Sequence, residues 1–414
     1  MKKTNIIATA LAALAAVPSI AQADDSKPQA GDILRDINMF NPEDGDPAYK
    51  VKANDMYGTQ WGVDLAYGYW GTHRATADTN GNNNFALLHA QLNQRLIQDE
   101  ANGGTWLRVE VSGSWALDPR SARSNGGGTY AEGFGTATSA HPDIMGPHHL
   151  YLPEVALMHY FAGKRACIIA GVVNLTNYFD AVGIANDSFS GFVNSGFVNS
   201  TILPLPDSNA GALIQWELNS RNYVMAAVSR TGVEPGCNPF RGASDGYCAV
   251  GEYGHIFGEG CMVLRINPFF AMTDEETAEV GTRHRRNAGL AGSIEYTTPD
   301  ERAVFYARAG VGAKQYLGSA AEVSVGANIK LFAEREDDFF GISYGVFKGQ
   351  APYLSDDEEA PEQGHRRECV LEAMYSFQVN DYFKVVPHFQ YIHNPAYRAE
   401  RDATVFGVQG VLSF

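Results

Sequence analysis

The chain is 414 residues long, 45% hydrophobic and 11% aromatic, with 43 glycines and 5 cysteines, which excludes a disordered polymer and a disulfide-held miniprotein. Only 19% of its residues are charged, below the ~25% of an ordinary soluble domain. The balance is acidic, 31 Lys and Arg against 47 Asp and Glu, so no broad basic surface exists to neutralise phosphates, and nucleic acid is excluded as a partner.

In chain order the first element is an export signal. Lys2 and Lys3 precede an apolar run from Ile6 to Ile20, and Ala21-Gln22-Ala23 supplies the small-x-small pattern that a signal peptidase cuts. Residues 1–23 are therefore expected to be removed, leaving Asp24 first, and the absence of a cysteine after the cut argues against a lipoprotein signal. Beyond residue 23 the longest apolar run, Ala166 to Val173, falls far short of the ~20 residues a spanning helix needs.

From Trp61 to the C-terminus the chain alternates with period two. Trp61, Val63, Leu65, Tyr67 and Tyr69 oppose Gly62, Asp64, Ala66 and Gly68; Leu107, Val109 and Val111 oppose Arg108, Glu110 and Ser112. Further on, Phe305, Ala307 and Ala309 oppose Tyr306 and Arg308, Val323 and Val325 oppose Glu322 and Ser324, and Leu371, Ala373, Tyr375 and Phe377 oppose Glu372, Ser376 and Gln378. The last segment sets Phe406, Val408, Gly410, Leu412 and Phe414 against Gly407, Gln409 and Ser413, with Val405 and Val411 as exceptions. Helical spacing fits none of these as well.

Fifteen strands can be read, starting near residues 57, 85, 105, 150, 165, 209, 222, 260, 288, 302, 321, 338, 367, 382 and 402. Apolar positions facing lipid and polar ones facing a lumen make this an all-β chain, a transmembrane antiparallel up-and-down β-barrel over 57–414. Bacterial barrels have even strand numbers, so a sixteenth strand is expected around Glu279 to Arg286. Short gaps such as Ala162-Gly163-Lys164 and Ser220-Arg221 become periplasmic turns, and 118–149, 176–208, 230–259 and 348–365 become long extracellular loops. Residues 24–56 then form a short periplasmic segment. The soluble rival, a secreted β-sandwich, needs a more heavily charged wet face than these Ser, Gly, Asn and Gln positions offer.

Several blocks resemble the bacterial outer-membrane carbohydrate-selective porins. They are Thr176-Asn177-Tyr178-Phe179-Asp180, Ala185-Asn186-Asp187, Phe192-Val193-Asn194-Ser195, Phe197-Val198-Asn199 and Leu203-Pro204-Leu205-Pro206 in the long central segment. Phe305 to Gly310, Arg335 to Gly341 and Pro387 to Pro395 continue the likeness downstream. The resemblance covers 150–414 well and 57–117 loosely, and implies passive diffusion of sugars without covalent chemistry or cofactor. Where a glycine-lysine-x-aspartate run is expected, this chain reads Gly171-Val172-Val173-Asn174, so two charges are missing and a shifted substrate preference is implied.

Parity points Asp64, Arg108, Glu110, Glu154, Glu217, Arg265, Glu295, Arg308, Lys330 and Glu372 inward, with Trp70, Trp106 and Tyr306 as stacking surfaces. Both signs of charge suit a neutral polar solute, and Arg108, Glu154 and Arg308 are the favoured sugar contacts because guanidinium donors bridge adjacent hydroxyls. One of the loops 118–149 and 176–208 is expected to fold inward. A general non-selective porin and a non-conducting, sugar-binding or adhesive surface barrel are the alternatives. Lipid, lipopolysaccharide and further copies of the chain are the other expected partners.

Other motifs are weaker. Gly341-Ile342-Ser343-Tyr344-Gly345 matches G-x-S-x-G but lies in a continuing strand, without the strand-turn-helix elbow the chemistry needs. His141, His148 and His149 cluster without a zinc spacing. Asp356-Asp357-Glu358-Glu359 reads as an acidic loop tip. Cys237 and Cys248 fall in one expected outer loop as a disulfide candidate, with Cys261 as a competing partner, and Cys167 and Cys369 have lipid-facing parity.

Overall fold

A computed structural model describes residues 29–39, 48–73, 82–117, 138, 140, 148–232, 238–241, 246–258, 261–277, 281–313, 319–349, 367–397 and 402–414. Two helices, α1 (Ala30–Asn38) and α2 (Ala48–Tyr57), precede the strands. These are β1 (Thr59–His73), β2 (Asn82–Ile97), β3 (Thr105–Ala116), β4 (His148–Phe161), β5 (Ala166–Val173), β6 (Asn209–Asn219), β7 (Asn222–Thr231) and β8 (Gly246–Phe257). The second half contains β9 (Met262–Thr277), β10 (Gly281–Thr297), β11 (Ala303–Gly312), β12 (Ala321–Ile329), β13 (Phe339–Lys348), β14 (Arg367–Asn380), β15 (Phe383–His393) and β16 (Ala403–Ser413).

Each strand pairs antiparallel with its sequence neighbours, and β1 pairs with β16 to close the barrel. Closure places Leu65 opposite Leu412 and Tyr69 opposite Val408, and Val63 and Phe414 exchange backbone hydrogen bonds at 3.1 and 2.9 Å. No edge remains to recruit another chain, and the ladders pair the wall's backbone strand to strand, as hydrocarbon requires. None of the described helices is long and apolar enough to cross a membrane; the strands do so.

The alternation has the expected sense. Leu65, Tyr67, Leu157, Val228, Val325, Phe406 and Val408 stand on the outside with exposed side chains, while Gln409, Glu372 and Ser343 face inward and are buried. The two exceptions in β16 have a cause. Val405 and Val411 point inward into an apolar cluster with Ala66, Val386 and Phe192, because the lumen is partly filled with protein.

The structure corrects two sequence expectations. The sixteenth strand is not 279–286, whose described residues open β10; it is β8, over residues read as part of an outer loop. Its inward face mixes Cys248 and Val250 with Glu252, all buried, and its outward face carries Tyr247, Gly251 and His255, so neither face shows a clean period. Cys248 thus lies in a strand, opposite Ser229, and its expected partner Cys237 lies outside the described residues. Cys167 faces the interior beside Tyr160 and Ile169 and is buried, while Ile168 takes the outward position.

The connections 98–104, 162–165, 220–221, 298–302 and 330–338 gather at one end of the barrel, and 174–208 enters from the other. At the short-turn end, α1 sits inside the mouth. The Asp32 carboxylate accepts from Gln29 N at 2.9 Å and caps its start. Ala30 and Leu34 are buried against Met158, Tyr160 and Ile169, and Arg108 donates to the carbonyls of Ile37 and Asn38 at 3.2 and 3.1 Å, satisfying the helix's last carbonyls with a cation.

Candidate functional site

The site is built on residues 174–208. Asparagines and aspartates shape the backbone locally: Asn174 Oδ1 accepts from Thr176 N at 3.2 Å, Asp187 accepts from Phe189 N at 2.7 Å, and Asn194 accepts from Gly196 N at 3.0 Å to start the short helix α3 (Ser195–Val198). Between these turns Leu175, Tyr178, Phe179, Val182, Phe192, Phe197, Ile202 and Leu203 are buried against the inner wall.

A segment inside a barrel must find partners for its polar backbone. Six glutamates from six strands hold it, four through its backbone N–H groups and two, Glu110 and Glu154, through its side chains. Glu110 accepts from Asn177 Nδ2 at 2.7 Å, and Glu154 accepts from Asn177 Nδ2 at 3.1 Å and from the Tyr178 hydroxyl. Glu252 takes Asp180 N at 3.0 Å and Glu295 takes Gly183 N at 3.1 Å. Glu372 takes Val193 N and Asn194 N, both at 3.1 Å, and Glu322 takes Thr201 N at 2.7 Å together with the Ser200 hydroxyl. Such charge-assisted bonds are stronger than neutral ones.

Arginines complete the frame. Arg308 pairs with Asp180, Nε to Oδ2 2.8 Å, and donates to the carbonyls of Phe197 and Ala185 at 3.1 and 3.3 Å. Arg108 pairs with Glu154 at 3.1 Å and Arg265 with Glu295 at 3.2 Å. A second contact comes from the 118–149 region: Thr138 N donates to Glu368 at 2.9 Å, and Gln390 donates to Ala140 O at 2.8 Å.

Parity therefore pointed these residues inward correctly, yet the structure places most of them behind the segment and away from open water. Arg108, Glu154 and Arg308 are 2%, 0% and 1% exposed, and each is engaged with protein groups of the wall, the segment or α1. The same holds for Glu110, Glu372 and Arg265. Tyr306 is buried beneath Phe192, with its hydroxyl 2.6 Å from Ser343 Oγ. Trp70 is fully buried over Gly407, where an added Cβ would lie 2.0 Å from the indole. Trp106 sits near the short-turn mouth, its Nε1 donating to Gly103 O at 3.0 Å. Lys330 lies past the end of β12, in the turn. Alternation tells in from out and nothing about what occupies the inside.

Partly open inward side chains form a strip on β1 and β2 facing the segment. Asp64 keeps 35% of its side chain exposed and His89 23%. His89 Nε2 lies 3.0 Å from Glu110 Oε1 and 3.1 Å from Gln91 Nε2, and its Nδ1 lies 3.9 Å from Asp64 Oδ2. The ring of Phe189, partly exposed, stands 5.9 Å from that of His89, and Gln409 holds the Phe189 carbonyl at 2.6 Å. Sequence reasoning named Asp64 and missed His89, Asp187, Phe189, Glu252 and Glu322. Glu322 already alternated with apolar neighbours; nothing local marks Phe189.

Ser343 continues β13 and donates to Val325 O at 3.0 Å, so no nucleophile elbow exists. Among the described residues no three His, Cys, Asp or Glu side chains are placed to hold a metal, and His141 and the acidic run 356–359 lie outside them.

A closed sixteen-stranded barrel, apolar outside and with a segment packed against its inner wall, is the fold shared by outer-membrane porins. Residues 273–414 match the model of the carbohydrate-selective porin, OprB family. The fold is similar to the high-pH structure of Pseudomonas putida OprB, with a TM-score of 0.70 at 15% identity over 89% of this chain and 96% of that one. It is also similar to Salmonella typhi OmpF in complex with daunomycin, TM-score 0.55 at 11% identity over 87% and 99%, and to the trimer form of Vibrio cholerae OmpT, 0.51 at 11% over 86% and 99%. An uncharacterized protein of Aquifex aeolicus is 36% identical over 70 residues, 16% of this chain and 22% of its own length, so the match spans about a fifth of that relative.

Proposed function

We propose that the barrel lets neutral sugars diffuse passively across the outer membrane, with the short turns in the periplasm and the long connections outside. One observation carries the sugar assignment: the segment holds the Phe189 ring beside His89, Asp64 and Gln91 on a partly open inner strip. Sugars need an apolar flat for their C–H faces and paired donors and acceptors for their hydroxyls, and this strip supports both within one reach. The match of the C-terminal third to the carbohydrate-selective family supports the same reading. Outward Leu, Val, Phe and Tyr side chains fit contact with lipid and lipopolysaccharide. Homo-oligomer formation is part of the proposal.

Liposome swelling tests it. Vesicles holding the mature protein are placed in mono-, di- and trisaccharides and in neutral non-sugars of equal size. Faster swelling in the sugars supports the proposal. Equal rates identify a general porin, and no swelling identifies a surface-binding barrel.

A further inference from the structure

A cavity of about 560 Å³ lies at the short-turn end, between α1 and the wall. None of the six glutamates that grip the inserted segment lines it. We propose that it is a second, exit-side subsite that holds a neutral sugar before release; this rests on the channel reading above.

The lining carries the assignment. Four carboxylates stand against four basic side chains, so the cavity selects neither sign of ion. Six carboxamides line it, Asn38, Gln60 and Gln215 among them. A carboxamide offers a donor pair beside an acceptor, which matches vicinal hydroxyls, each both donor and acceptor. Trp106 and Tyr160 supply ring surface. Trp106 is fixed by its bond to Gly103 and by the Arg95 guanidinium 5.6 Å from its ring centre.

The position is also built and not merely left over. Asn38 is fully buried and its Nδ2 donates to Gln215 at 2.5 Å, which ties α1 to β6 at the cavity wall. The volume falls within the roughly 300–1,000 Å³ of small-molecule clefts. α1 forms one wall, so the subsite exists only while that helix occupies the mouth.

The test uses the mature protein in planar bilayers, with maltose as the probe added to one face at a time, and liposome swelling in maltose alongside. Wild type is expected to show sugar-dependent current block from the short-turn face. Trp106→Leu should raise the half-blocking concentration there about tenfold, and Gln98→Ala, in an exposed turn, about threefold, while block from the other face changes less than about twofold. If both variants block like wild type from the short-turn face while liposomes swell in maltose, the exit subsite is overturned and the channel reading stands. If wild-type liposomes do not swell in any sugar, the channel reading fails and the subsite with it. Should Trp106→Leu not fold, Gln98→Ala decides alone.

Discussion

Arg308 on β11 meets Asp180 in the inserted segment, Nε to Oδ2 2.8 Å, with both side chains buried. The pair joins wall to segment in a place water does not reach. Removing one partner of a buried pair leaves an uncompensated charge and costs about 3–5 kcal/mol. Arg308→Ala should lower the unfolding free energy in detergent by that order, and it should raise single-channel conductance because Phe197 O and Ala185 O lose their donor as well. Lys330→Ala, in a turn, should leave both unchanged. Equal behaviour of the two variants contradicts the bracing role.

The outward face predicts a depth profile. Val408 lies midway along β16 and is 41% exposed, and Leu412, 39% exposed, lies near its end. Val408→Arg should cost about 2–4 kcal/mol and Leu412→Arg about 0–1 kcal/mol, the cost falling from the bilayer midplane to the interface. Folding titrations into lipid vesicles read the difference. Ser413→Arg, on the inward face, should be mild.

Phe189 predicts selectivity. An aromatic contact worth ~0.5–1.5 kcal/mol corresponds to about a two- to tenfold preference, so Phe189→Ala should lower the ratio of sugar to non-sugar swelling rates by that factor without closing the channel. Wild-type selectivity in the variant would remove Phe189 from the sugar path.

In the turn before β13, Arg335 binds Asp338 at 2.5 and 3.0 Å. That bond, joined by the Gln378 amide and the Tyr375 hydroxyl, holds the Asp338 carboxyl below its ordinary 3.8 against the opposing effect of burial. A carboxyl lowered in the folded state stabilises above its unfolded value and loses that contribution as pH falls through the folded one. Stability should therefore be flat above about pH 4 on account of this group and fall at lower pH. Arg335→Ala should be less stable at neutral pH and show a shallower acid-side decline, read from denaturant midpoints at a series of pH values.

Much of the barrel was legible in the sequence. Trp61 to Tyr69 and Phe406 to Phe414 announce strands because lipid and lumen impose opposite chemistry on adjacent residues. β8 escaped because its inner face packs on protein: Cys248, Val250 and Ile256 are inward and buried, which breaks the polar period. The site was half legible. Inward parity found Glu110, Glu154, Arg308 and Glu372, but which of them meets water depends on where 174–208 lies, and contacts spanning 179 residues, as from Val193 to Glu372, leave no local trace.

Thiol accessibility separates the lumen side of the wall from the lipid side. In a background with the native cysteines replaced, Asp64→Cys and Val408→Cys are exposed in bilayers to a charged, membrane-impermeant thiol reagent while current is recorded. Asp64→Cys should be modified rapidly, with a drop in conductance that added sugar slows, and Val408→Cys should not be modified. Equal modification of both positions, or modification of Asp64→Cys with unchanged current, would contradict the channel reading.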